Sequence, residues 1–395
     1  MESKDKKGIY TGQFWLLCTS SLLFFGSFNM LLPELPNFLT KLGGADYKGW
    51  IIAIFTVTAG LSRPFSGKLT DKVGRIPVMM FGVAVCVLCG FLYPLVGSVF
   101  GFLLLRFVHG LSTGFKPTAT SAYVADIIPA ERRGEALGLL GMAGTTGMAL
   151  SPLFGSAITN AFGLEALFYS SSIIAAISVL ILFGMKETLP NPEKFKASHL
   201  RISPGDVIEP KTLPAAVAVL LTMFSFGIML TLIPDFSEHL GFDNKGIYLT
   251  VFTIASVCCR FFAGKASDKY GRVNVMLITL WITVIGLLVT GFATTQTTFL
   301  AGAVIFGIGS GSTTPALYAW TIDISDPNKR GKAIATMYIA LELGIGGGAL
   351  VSAALYDNNP ERLNLAFSTG ALLCALTFFY LLAFRKRSTD KALAS

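Results

Sequence analysis

The chain has 395 residues, of which 53% are hydrophobic and 14% charged, with a formal net charge of +8 and a mean hydropathy of +0.64. Soluble domains carry about 25% charged residues, so this composition excludes an ordinary water-soluble globule and implies a surface that faces lipid. The basic excess comes without a soluble fold that could present it to nucleic acid, and no nucleic-acid partner is expected.

A polar start carrying Lys4, Lys6 and Lys7 precedes the first apolar run. That run has no small-residue cleavage site and reads as a retained helix, not a signal peptide. Stretches near the roughly 20 residues that cross a bilayer then recur along the chain. The predicted spans are 13–35, 49–66, 77–97, 99–125, 135–159 and 164–185, then 213–234, 246–263, 274–293, 297–322, 332–355 and 363–384. The expected fold is all-α and integral to the membrane: twelve transmembrane helices in two pseudosymmetric six-helix bundles. The N-terminal bundle covers 1–185, a Pro-rich polar linker 186–212, and the C-terminal bundle with a short tail 213–395.

Lys and Arg gather in alternate loops. One set holds the N-terminus, Lys68, Lys72 and Arg75, Arg132 and Arg133, the linker, Lys265, Lys269 and Arg272, Lys329, Arg330 and Lys332, and Arg385, Lys386, Arg387 and Lys391. The other set holds only Lys41, Lys48, Lys245 and Arg362. The positive-inside rule makes the first set cytoplasmic, with both termini. All six Cys lie in apolar runs. The Cys86/Cys89 pair reads as packing, and no metal, disulfide or cofactor is expected.

The two halves repeat. RPFSGKLTDKVGR at 63–75 and RFFAGKASDKYGR at 260–272 agree at eight of thirteen positions, 197 residues apart. The same offset aligns DIIPAERRGEA at 126–136 with DISDPNKRGKA at 323–333, Gly110 with Gly307 and Gly114 with Gly311. Pro33 and Glu34 correspond to Pro234 and Asp235 at a slightly different offset. Parallel repeats of this kind place a site between two bundles near the bilayer midplane.

The segment GKLTDKVGR at 67–75, present twice, resembles the signature loop of the major facilitator superfamily, G-x-L-x-D-r-x-G-r. RFVHGLSTG at 106–114 is similar to that family's motif with a buried Arg on the fourth helix. GMALSPLFGS at 147–156 resembles the antiporter motif of the fifth helix through Gly147, Pro152 and Gly155, with Ser151 and Ser156 where Gly is usual. PELP at 33–36 resembles the end of the first helix in drug-exporter-like members. The resemblance implies the drug:proton antiporter-like branch and a cytoplasmic gate made of Gly67, Asp71, Gly74 and Arg75 with Gly264, Asp268, Gly271 and Arg272. There Gly67 and Gly74 would permit a tight turn. Asp71 would cap a neighbouring helix N-terminus and pair with Arg75. The cluster would act either as a gate or as a static topology anchor.

Two features carry candidate chemistry. On the fourth span, Arg106, His109, Thr113, Lys116 and Thr120 fall on one arc of about 80°. Counted from Asp126 at 1.5 Å per residue, Lys116 lies roughly 15 Å and Arg106 roughly 30 Å deep. The stripe is expected to face the central cavity, where it could either make internal salt bridges or recognise an anionic or zwitterionic solute. On the eleventh span, Glu342 is a carboxylate far from either helix end, suited to binding and releasing a proton, or to holding a buried Arg or Lys. A Glu34–Arg106 pair is expected, and Glu342, Glu34, Arg106 and His109 are the proton-coupling candidates. Helix position adds Asn29, Phe28, Lys116, Phe226, Tyr318 and Tyr338 as cavity candidates. The expected function is a proton-coupled exporter of a small organic solute that works as a monomer. The alternative is a symporter or facilitator that imports an anionic metabolite. An embedded enzyme would need a catalytic constellation such as a HExxH, a GxSxG on a strand-to-helix turn or a clustered acid pair, and none is found.

Overall fold

The computed structural model describes residues 10–129, 132–202, 207–326 and 330–394. Lys4, Lys6, Lys7 and Lys329 lie outside them, as do the side chains of Arg330, Lys386, Arg387 and Lys391. Before residue 186 the helices are α1 (Gly12–Asn29), a short α2 (Leu35–Lys41), α3 (Lys48–Lys72), α4 (Arg75–Leu92), α5 (Val99–Ile127), α6 (Arg133–Phe162) and α7 (Leu164–Phe183). After residue 212 they are α8 (Leu213–His239), α9 (Ile247–Tyr270), α10 (Arg272–Gly291), α11 (Gln296–Asp323), α12 (Arg330–Tyr356) and α13 (Leu363–Ala394).

Among the described residues, eight helices are long and apolar enough to cross a membrane, or nine if bent α9 counts as one span. The three other long helices, α1, α3 and α5, were expected to span as well. They fall short because their buried faces are polar, with Asn29 on α1 and Arg106, His109 and Lys116 on α5. Arg63 adds a charge to the middle of α3. The first expected span also ends early. Its helix stops at Asn29, and the chain turns before Pro33 and Pro36, where missing N–H groups favour a break.

Packing repeats the register of the sequence. Helix α5 lies on α3 and α4, and α1 on α6 and α7; correspondingly α11 lies on α9 and α10, and α8 on α12 and α13. A Cβ on Gly110 would sit 2.3 Å from the Phe55 carbonyl oxygen, and one on Gly307 would sit 2.4 Å from that of Phe252. Both glycines and both carbonyls are 197 residues apart. Two crossings at one register need the same missing side chain, because helices in lipid associate by close backbone approach.

The two sets meet through α3 on α12 and α6 on α9. The hydrogen bonds and ion pairs between them gather at the end opposite the linker. Lys48 reaches Asp235 at 2.5 Å, Asn160 donates to the Asp243 carbonyl at 2.6 Å, and Asn244 donates to the Leu153 carbonyl at 2.9 Å. Asn358 reaches the Ala45 carbonyl there. Deeper in, one further pair joins Arg63 to Glu342. At the linker end, the described residues 186–202 and 207–212 run past both sets. Glu193 bonds Lys72 on α3, and the Glu209 amide donates to Thr336 on α12. The molecule is therefore latched at the far end.

Candidate substrate and proton-coupling site

Glu342 lies near the middle of α12 and is 7% exposed. It is not alone: Arg63 on α3 donates to it at 2.9 Å through Nη2 and lies 4.1 Å from the centre of the Tyr338 ring. The Arg63 Nε is buried without a partner. Gly60, one turn before Arg63, lets the Glu342 side chain approach to 3.4 Å of where a Cβ would be. Tyr338 meets Tyr318 of α11 edge-on, with centroids 6.0 Å apart. Both tyrosines are half-buried. Glu342, Tyr318 and Tyr338 thus belong to one cluster between the two sets of helices. Arg63 was read from sequence only as part of the repeat, although a mid-helix Arg beside a mid-helix Glu is the complement each needs to be buried.

The α5 stripe is placed differently from expectation. Arg106, His109 and Lys116 are each 1% exposed or less, inside the first set of helices and not on a cavity wall. The Arg106 Nε donates to the Ile51 carbonyl at 2.9 Å, and its guanidinium lies 4.4 Å from the centre of the Phe55 ring. Lys116 donates to Ser21 at 3.0 Å and lies over Phe24. His109 shares a hydrogen bond with Tyr93. The helix packs on both α3 and α4, so the arc that looked like a cavity wall is its seam with its neighbours. The Glu34–Arg106 pair does not form either. Glu34 accepts from Ser156 at 2.7 Å, one of the serines that replaces glycine in the α6 motif. Phe28 packs on Phe55 and His109, and Asn29 donates back to the Phe25 carbonyl, so both are bundle interior. Phe226 is half-buried beside Phe252.

The two repeated loops have the same construction. Arg75 bonds Asp126 at 2.9 Å, the Thr70 carbonyl and Asp71; Arg272 bonds Asp323 at 3.0 Å, Ser267 and Asp268. Gly74 has φ +130° and Gly271 φ +89°, values that favour glycine at the turns. Gly67 and Gly264 sit inside α3 and α9 with open space around them, because the helices run on past them. Nor does Asp71 cap a helix. The cap on α4 is Glu187, whose carboxylate accepts from the amides of Arg75 and Ile76, both at 3.0 Å. Asp126, Asp323 and Glu187 are thus members of these clusters that motif reading missed; the constant offset between the first two was the available signal. Glu187→Ala should lower stability by about 1 kcal/mol, the usual cost of a lost cap. Thermal unfolding in detergent measures it, and an unchanged midpoint would remove the capping role.

In the α6 motif, a Cβ on Gly147 would lie 2.2 Å from the Leu22 carbonyl oxygen, and one on Gly155 would lie 2.0 Å from that of Met30. Both glycines let α6 press on α1 and the turn after it. Pro152 between them faces the other way, toward Gly246 at the start of α9.

The family model for the Major Facilitator Superfamily matches residues 17–248 and 215–395. The Multidrug resistance protein MdtG of Citrobacter koseri is 26% identical over 394 residues, covering 95% of each chain. MdtG of Salmonella typhimurium is 24% identical, covering 91% of each. The crystal structure of the human organic anion transporter MFSD10 (TETRAN) superposes with a TM-score of 0.72 at 19% identity, over 93% of this chain and 98% of that one.

Proposed function

Because the chain belongs to the major facilitator superfamily, a family of membrane transporters for small molecules, we propose that it is a proton-coupled exporter of a small organic solute. The proposal takes all twelve long helices as spans, in bundles 1–185 and 213–395. Both termini and the linker face the cytoplasm of a cell membrane, and the monomer is the working unit. The MdtG relatives, named for multidrug resistance, favour export. On this orientation the latched end is the outer end, and the molecule is in its inward-facing state.

One observation carries the coupling: the Arg63–Glu342 pair at 2.9 Å, which joins the two bundles at mid-depth. Its exposure is low on both sides, 12% for the Arg63 side chain and 9% for that of Glu342. In the inward-facing state Glu342 is ionised and holds Arg63, and the solute loads beside them from the cytoplasm. Once the outer end opens and the solute leaves, a proton from outside neutralises Glu342. Neutralisation releases Arg63 and permits return, and the proton is lost to the cytoplasm when the pair re-forms. Arg106 and His109 would support this from within the bundle.

The repeated loops act as the cytoplasmic gate. In the inward-facing state Asp71 is largely exposed, with a side chain 74% accessible. Its charge is used when the inner ends close. Asp71→Asn should therefore cut transport about tenfold or more without changing the thermal midpoint. Normal transport would reduce the loop to a topology anchor.

The test of function uses vesicles reconstituted with the protein and loaded with the pH dye pyranine. Candidate drugs are added outside, one at a time, under an imposed pH gradient. At least one compound should evoke a proton flux that protein-free vesicles lack. Solute flux with no accompanying proton movement would contradict coupling and leave the facilitator reading.

A further inference from the structure

The internal repeat assigns Arg260 as the counterpart of Arg63, and their surroundings differ in one respect. Arg63 is neutralised by Glu342. The position 197 residues before Glu342 is Thr145, whose hydroxyl is committed to the Gly141 carbonyl at 2.7 Å. No carboxylate lies within ion-pair distance of Arg260 among the described residues. Yet Arg260 is exposed and lies one turn beyond Ser256, which packs on Gly311 of α11, within electrostatic reach of the Tyr318 phenol. It occupies the repeat position of Arg63, a residue that faces the other bundle at mid-depth. The series Arg260, Tyr318, Tyr338, Arg63 and Glu342 then runs from one bundle to the other with two cations and one anion.

A cation at membrane depth is costly unless a partner or water meets it, and an unpaired Arg beside a solute path is an invitation to an anion. We infer that Arg260 anchors an organic anion with an aromatic or planar apolar body, held between the bundles against Tyr318 and Tyr338. A guanidinium offers paired donors that match a carboxylate, sulfonate or phosphonate head. The two tyrosine rings offer a flat apolar contact and hydroxyls at their edges. A cationic solute is not favoured at this place, because the one carboxylate in the series is already engaged by Arg63. Lys116, the sequence's first candidate for anion recognition, is sealed inside its bundle and bonded to Ser21. This inference rests on the transporter reading above and names its substrate class; it does not depend on proton coupling.

The experiment compares two probes with one ring system and opposite charge, 1-naphthoate and 1-naphthylmethylammonium. Binding is measured by calorimetry on the purified full-length protein in detergent, with no gradient. The wild type should bind the naphthoate about tenfold or more tighter than the ammonium. Arg260→Gln should remove most of that preference, and Arg260→Lys should keep part of it. Thr145→Glu, which supplies the missing repeat counterpart of Glu342, should weaken the anion without weakening the ammonium. Thr145→Glu leaves Arg260 in place, so it decides the matter even if Arg260→Gln folds poorly. The inference is overturned if the wild type shows no preference for the anion, if Arg260→Gln leaves it unchanged, or if the variants weaken both probes equally. Because this is equilibrium binding, a failure of proton-driven flux would sink the coupling reading alone, and a failure here would leave that reading standing.

Discussion

Gly246→Val is expected to stop transport while leaving each bundle folded. A Cβ at Gly246 would lie 2.2 Å from the Pro152 carbonyl oxygen and 2.3 Å from its carbon. Both are backbone atoms of a helix, and neither can rotate aside as a side-chain tip would. Gly246 belongs to the second bundle and Pro152 to the first, so the clash is relieved by moving one bundle away from the other at the latched end. Gly49→Val should act alike on the opposite seam, where a Cβ would lie 2.6 Å from the Ala349 carbonyl oxygen and 2.8 Å from the Ala353 Cβ. Both variants should lower transport about tenfold or more and raise the reactivity of a Cys placed at the outer seam toward an impermeant reagent. Gly155→Val is the contrast. Its Cβ would lie 2.0 Å from the Met30 carbonyl oxygen, a clash within one bundle. It should therefore cost about 1–3 kcal/mol of stability, as overpacking does. If Gly246→Val lowers the thermal midpoint as much as Gly155→Val does, the outer seam is part of a fixed core and not a moving contact.

Glu342→Gln should abolish accumulation against a gradient and spare downhill exchange. The amide keeps the size of the carboxylate and an oxygen that can accept from Arg63, so packing at a site 7% exposed is preserved. What is lost is the ability to exchange a proton. The variant is also held as the neutral form, which weakens the attachment of α12 to α3 by the charge-assisted part of one hydrogen bond. Accumulation driven by an imposed pH gradient should fall about tenfold or more, and the remaining exchange should lose its pH dependence. Unchanged accumulation with unchanged pH dependence would make Glu342 a structural partner of Arg63. Coupling would then rest on Glu34 or His109, or on Asp235, the repeat counterpart of Glu34. Of these, Asp235 already bridges the bundles through Lys48.

The fold was legible because lipid leaves few options. Apolar runs of spanning length set the helices, and a constant offset of 197 residues paired them, down to the carbonyls that Gly110 and Gly307 face. The site was legible in its axial coordinate and much less in its rotation about each helix. Glu342 was correctly placed at mid-helix, and Tyr318 and Tyr338 do stand in its cluster. The α5 stripe misled because an arc of polar residues marks the buried side of a helix without saying whether a cavity or a neighbouring helix covers it. Arg106 is covered by α3, through the Ile51 carbonyl and the Phe55 ring. Partners from distant segments were the least visible. Glu187 caps α4 from 112 residues away, and Arg63 meets Glu342 across 279. Only the three-dimensional crossing of α3 and α12 brings that second pair together.

The central claim is that protonation of Glu342 breaks its pair with Arg63 and permits return to the inward-facing state. Leu95 and Phe292 are well suited to report on it: they are repeat counterparts, 75% and 62% exposed, at the latched ends of the two sets of helices. Spin labels at these two positions, with their separation read by pulsed electron resonance at high and low pH, measure the outer opening directly. With a transported solute present, a longer separation is expected at high pH, a short population that grows as the pH falls, and a pH-independent mixture in Glu342→Gln. A single separation that ignores pH, or a pH response that survives Glu342→Gln, would contradict it.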